Sequence, residues 1–141
     1  MQGLHLTADL RGCAAGCAAM SQIEALRMVC LDAVAAAGLA AVGELFHRFA
    51  PGAPDTAAAP GITGVVLLAG SHLAVHTWPE IDAVTLDVYV CNFGRDNSAR
   101  AEALLAALIG AFAPATVERH ALARGVGSAG PSRAHLTDGA R

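Results

Sequence analysis

Between Gly70 and Glu80 the chain reads GSHLAVHTWPE. A serine hydroxyl, two imidazoles and a carboxylate fall on a frame of alternating apolar residues. In an extended strand, alternation sends His72, Ala74, His76 and Trp78 to one face. Ser71, Leu73, Val75 and Thr77 go to the other. Ser71 stands at the mouth of the strand, directly after Gly70, a residue that tolerates backbone angles others avoid. A serine in such a turn, with a histidine near it, can attack its own preceding carbonyl in an N→O acyl shift. No G-x-S-x-G elbow is present, which disfavours a hydrolase triad. Each residue alone also has an ordinary structural reading, the serine as a turn residue and the strand histidines as satisfied polar groups.

Composition narrows the chemistry further. All nine basic residues are arginine and lysine is absent. The chain therefore cannot form the usual internal Schiff base with pyridoxal phosphate, and it has no P-loop lysine. An electrophile for amine chemistry has to come from elsewhere. Cys13 and Cys17 form a C-x3-C pair with no second pair at finger spacing, so small buried residues are the preferred reading over metal ligands. Cys30 and Cys91 complete the cysteines.

The 141 residues fit one domain, and 55% hydrophobic residues with a mean hydropathy of +0.49 can fill a core. A net charge of −3, no basic stripe and few aromatics argue against a nucleic-acid partner. No apolar run reaches membrane-spanning length, and MQGLHLTADL lacks the pattern of a secretory signal. A cytoplasmic protein with reduced cysteines is expected.

Hydrophobic periodicity supplies the elements that must position these groups. Leu4–Leu10 alternates as a strand. Ser21–Ala37 has helical spacing, with Ser21 and Glu24 as a capping box and Gly38 as a C-cap. Strands are expected at Leu39–Phe49, Ile62–Leu68, His72–Trp78, Ala83–Cys91 and Thr116–Leu122, and a second helix at Ser98–Phe112 before Pro114. Ala50–Gly61 reads as an irregular loop, and residues from Gly125 on as a disordered tail. The order β-α-β-β-β-β-α-β predicts an α+β two-layer sandwich, an antiparallel sheet with both helices on one face. The other face needs a partner or stays wet.

SHLAVHTWPE followed by DVYVC resembles the processing segment of the bacterial and archaeal S-adenosylmethionine decarboxylases, whose pattern is close to ESH-x-x-x-HTWPE. HLTADLRGC, FHRF and GITGVVLL agree in order, and the resemblance runs over about residues 4 to 124. It implies one self-processing domain over 1–124 that breaks between Gly70 and Ser71. Ser71 would become a pyruvoyl group, the only cofactor, with neither metal nor pyridoxal phosphate. Its keto group would form a Schiff base with S-adenosylmethionine and accept the electrons left by the departing carboxylate. The resemblance further implies that His76 and Thr63 assist processing and that Cys91 reprotonates the carbanion, work suited to a thiol of ordinary pKa of about 8.5. It places Phe49 on the adenine, Glu80 on the ribose and Asp9 near the site. A homodimer of cleaved protomers with sites near the interface is implied, and the few acids in the core strands give no diamine site.

The chain departs from that pattern in three places. Gly70 stands where the family has glutamate, the loop APGAPDTAAAPG is longer than usual and lacks an aromatic, and the tail is poor in acids. The first two changes leave open a pyruvoyl decarboxylase for another amino acid such as arginine or ornithine, and Gly70 alone leaves open an uncleaved homologue acting as a binding subunit.

Overall fold

The structure, a computed structural model, describes residues 2–14, 16–50 and 59–125. The elements are β1 (Gly3–Arg11), α1 (Ile23–Ala36), β2 (Ala41–Arg48), β3 (Ile62–Leu68), β4 (Ser71–Trp78), β5 (Ala83–Cys91), α2 (Ser98–Phe112) and β6 (Thr116–Arg124). Short 3-10 turns cover Ala18–Met20 and Pro79–Ile81. The strands form one sheet in the order β2-β3-β4-β5-β1-β6, with every neighbouring pair antiparallel. β1, the first strand in sequence, pairs along its whole length with β5 on one side and β6 on the other. The expected α+β sandwich is the architecture found.

The period-two pattern explains which face is covered. Leu6, Ala8 and Leu10 of β1, Leu73 and Val75 of β4, and Leu86, Val88 and Val90 of β5 are buried. They meet Leu26, Cys30 and Val34 of α1 and Leu104, Leu105, Leu108 and Phe112 of α2, residues three or four apart and so on one stripe of each helix. The intervening strand residues, among them His5, His72, His76, Thr85 and Asp87, point to the other face and are half-buried. No helix among the described residues is long and apolar enough to cross a membrane.

The ends of α1 separate a correct expectation from an incorrect one. Gly38 has φ +72, its N–H donates to the Ala35 carbonyl, and the Leu39 N–H donates to the Val34 carbonyl. These two bonds make a Schellman cap. They also use the Leu39 amide, so β2 starts at Ala41 rather than Leu39. Ser21, by contrast, does not cap α1: it closes the preceding 3-10 turn through its N–H to the Ala18 carbonyl, and Gln22 is the N-cap, with no side-chain cap bond. β6 runs two residues beyond the expected end because β1 offers it a full-length edge. The loop expected over 50–61 lies mostly outside the described residues, and so does the tail beyond Gly125.

Among the described residues, Thr77 is the one buried polar side chain of the core. Its hydroxyl accepts from the Ile62 N–H at 2.9 Å and donates to the Met20 carbonyl at 2.7 Å, tying β4 to the start of β3 and to the 3-10 turn before α1. Thr77→Val keeps the shape and strands both partners. A loss of about 1–3 kcal/mol in urea unfolding is expected, and an unchanged midpoint would contradict this role.

Candidate active site

Two clefts mark the uncovered face, one toward each end of β4. At the first, the β3–β4 hairpin turns through Gly70, whose φ is +67. An L side chain is strained there, and a Cβ at this position would lie 3.7 Å from Cys91 Cβ. Ser71 follows as the first residue of β4. Its Oγ accepts the Cys91 N–H at 3.0 Å, which leaves its own proton free to be donated. Cys91 is held from its other side as well. Asn97 Nδ2 donates to its carbonyl at 2.9 Å, and the Phe93 N–H reaches its Sγ at 3.5 Å. The turn that carries Asn97 is knit by Asn92, which accepts the Asn97 N–H and donates to Ser98 Oγ. The Ser98 N–H donates to Asp96, and this bond, ahead of the Ser98 hydroxyl, holds the Asp96 carboxyl below its usual value. The cleft in front of Ser71 has a volume of about 670 Å³ and is walled by Leu67, His72, Tyr89 and Arg124 among others.

The second cleft, about 330 Å³, is lined by Asp9, Arg11, Trp78, Ile81 and Thr85. Thr63 and His76 face each other across β3 and β4, with Thr63 Oγ1 3.0 Å from His76 Nδ1. The Phe49 and Trp78 rings lie 5.2 Å apart, and His76 is 6.4 Å from Trp78. Glu80 is exposed in the 3-10 turn that follows. The extended backbone of β4 separates Ser71 from His76 by five residues, about 16 Å.

Residues 4–125 match the family model for S-adenosylmethionine decarboxylase. The chain is 36% identical over 126 residues to the S-adenosylmethionine decarboxylase proenzyme of Symbiobacterium thermophilum, covering 89% of this chain and 85% of that one. It is 30% identical to the proenzyme of Archaeoglobus fulgidus over 87% of this chain and 97% of that one. The crystal structure of the adenosylmethionine decarboxylase from Aquifex aeolicus superposes with a TM-score of 0.74 at 31% identity, over 88% of this chain and 91% of that chain. The chain belongs to the S-adenosylmethionine decarboxylase family.

Of the residues that the family pattern picks out, the fold brings Gly70, Ser71 and Cys91 together at the β3–β4 hairpin end of the sheet. It gathers Thr63, His76, Phe49, Asp9 and Glu80 toward the other. Sequence reasoning missed a third group beside Ser71. His5 Nε2 lies 3.1 Å from Asp87 Oδ1, and the His5, His72 and Tyr89 rings pack edge-to-face or tilted at 5.6–6.4 Å. Arg124 sits over the Tyr89 ring at 5.5 Å. These residues come from β1, β4, β5 and β6, so only the sheet register unites them. The period-two count could have put them on the uncovered face, but not next to one another.

The cysteines divide by environment in this decarboxylase fold. Burial, with Glu44 second, pushes the Cys30 thiol up from 9.0 to about 12, while Cys91 is half-exposed at the cleft. Iodoacetamide at pH 8 is expected to modify Cys91 in the native protein and Cys30 only after denaturation. Between pH 9 and about 12 the unfolded chain gives up a Cys30 proton that the folded chain keeps, so stability falls as pH rises through that window. Native labelling of Cys30 would contradict both statements.

Proposed function

We propose that the chain cleaves itself between Gly70 and Ser71 and then decarboxylates S-adenosylmethionine, making the aminopropyl donor for spermidine synthesis. The observation that carries this reading is the placement of Ser71, behind a left-handed glycine and with Oγ fixed on the Cys91 amide. The hydroxyl lies next to the carbonyl it must attack, and its proton is free for a base. The residues around it fit a pyruvoyl group formed from Ser71. Once formed, that group supplies a ketone that engages the substrate amine and serves as the electron sink for loss of carbon dioxide. Cys91, anchored at its N–H, its carbonyl and its Sγ, is placed to return a proton to the carbon that lost the carboxylate. Phe49 with Trp78 offers aromatic faces that suit an adenine and a sulfonium, and Glu80 and Asp9 offer acceptors for ribose hydroxyls and a cationic substrate.

The two ends of β4 act together when two copies meet. His76 cannot reach Ser71 within one strand, yet Thr63 is aligned on His76 as a positioned base requires. A two-fold pairing of the uncovered faces would set the His76 end of β4 in one copy over the Ser71 cleft of its partner. Leu45, Leu67 and Leu122 lie exposed on that face and would gain cover.

Two experiments test this reading. Ser71→Ala and His76→Ala chains should each stay whole when made alone. Co-expressed, they form mixed dimers in which the His76→Ala chain is cut with help from its partner. Cleavage of the His76→Ala chain on its own, or none in the mixture, contradicts the shared site. Carbon dioxide release should occur from carboxyl-labelled S-adenosylmethionine, while release only from arginine or ornithine would transfer the same chemistry to another substrate.

A further inference from the structure

Self-cleavage creates a group that the intact chain does not have. After the acyl shift, Gly70 is joined to Ser71 through an ester. In the elimination that follows, a base takes the Ser71 Cα proton and the Cβ–O bond breaks. The electron pair leaves on oxygen, and Gly70 becomes a chain end with an α-carboxylate. Water then hydrolyses the enamine side and ammonia departs. The new anion forms at the open cleft that Val65, Leu67, Leu68 and Ala74 share with His72, Tyr89 and Arg124.

We propose that Arg124 captures the Gly70 carboxylate released by self-cleavage and holds that chain end clear of the residue 71 position. This inference rests on the cleavage proposed above. Arg124 is the one arginine lining the Ser71 cleft. Its guanidinium stands over the Tyr89 ring and has no carboxylate partner among the described residues. The nearby Asp87 is taken by His5. The sheet register sets the two groups on one row. Arg124 pairs with Gly3, Gly3 pairs with Cys91, and Gly70 abuts Cys91. The row spans three strand spacings, about 14 Å between backbones. Gly3 and Gly70 bring no side chain to this row, and the Cys91 side chain lies between them. Tyr89 instead folds across Gly3, where a Cβ would come within 2.6 Å of its ring, and supports the guanidinium from below. The arginine stem covers part of the span and the freed glycine end covers the rest. A bidentate guanidinium–carboxylate pair suits both.

The substrate carboxylate is the rival anion for Arg124, and the chemistry disfavours it. A guanidinium clamped on the group that must leave as neutral carbon dioxide stabilises the ground state more than the transition state. The Gly70 carboxylate is permanent, so holding it carries no such penalty.

The test compares Arg124→Met in two backgrounds, the cleaved enzyme and the uncleaved Ser71→Ala chain, which has no Gly70 carboxylate. Intact mass first establishes cleavage, so a whole chain in the wild type overturns the cleavage reading and this inference together, and does so visibly. Given cleavage, Arg124→Met should lower the melting temperature of the cleaved enzyme by about 3 °C more than that of the Ser71→Ala chain. Equal losses in both backgrounds, or none in either, overturn the inference. Where Arg124→Met itself stops cleavage, Arg124→Lys decides. Lysine keeps a charge for the carboxylate, so cleavage with near-wild-type melting supports the pairing, and failure of lysine as well overturns it.

Discussion

Strand β4 is extended from Ser71 to Trp78, and its backbone holds the serine and His76 five residues apart. The rest of the site is arranged around that separation. A helix of the same sequence would have wrapped the two residues to within a turn of each other. The strand instead gives each its own supports. Ser71 gains the Cys91 amide, and His76 gains the Thr63 hydroxyl. The pleat turns His76 to the side that the helices leave uncovered, while Ser71 follows the alternation of Leu73, Val75 and Thr77 and borders the uncovered side only at the hairpin end.

That uncovered side is where the chain's polar chemistry accumulates. One face of the sheet is committed to Leu, Val and Ile under two helices, and the only buried polar side chain there among the described residues, Thr77, is satisfied twice. The opposite face carries His5, Asp9, Thr63, His72, His76, Thr85, Asp87 and Tyr89 at alternate positions. Burying such a row against a third layer would demand a partner for every group. A second copy would offer an equal row running the opposite way, which is the pairing proposed above.

Much of this was legible in local pattern. Period-two runs located β3 and β5 to the residue, and α2 was bounded by the turn before Ser98 and by Pro114 after it. The start of α1 was not legible, because a 3-10 turn used Ser21 before the helix could. Ser71, His76 and Cys91 stood out through their motif, yet the motif says nothing of distance. Only the register shows that Cys91 reaches Ser71 while His76 does not. The His5–Asp87 and Tyr89–Arg124 contacts were invisible for the same reason. They join residues 82 and 35 positions apart through β1, a strand placed between two others that follow it much later in the chain.

Intact mass spectrometry of freshly purified protein, with reductive trapping by an added amine, tests the central claim most directly. The account predicts two fragments that divide between Gly70 and Ser71, the one beginning at residue 71 lacking a free amino terminus and gaining the mass of the trapped amine. A single chain of full mass with no trappable ketone would contradict it.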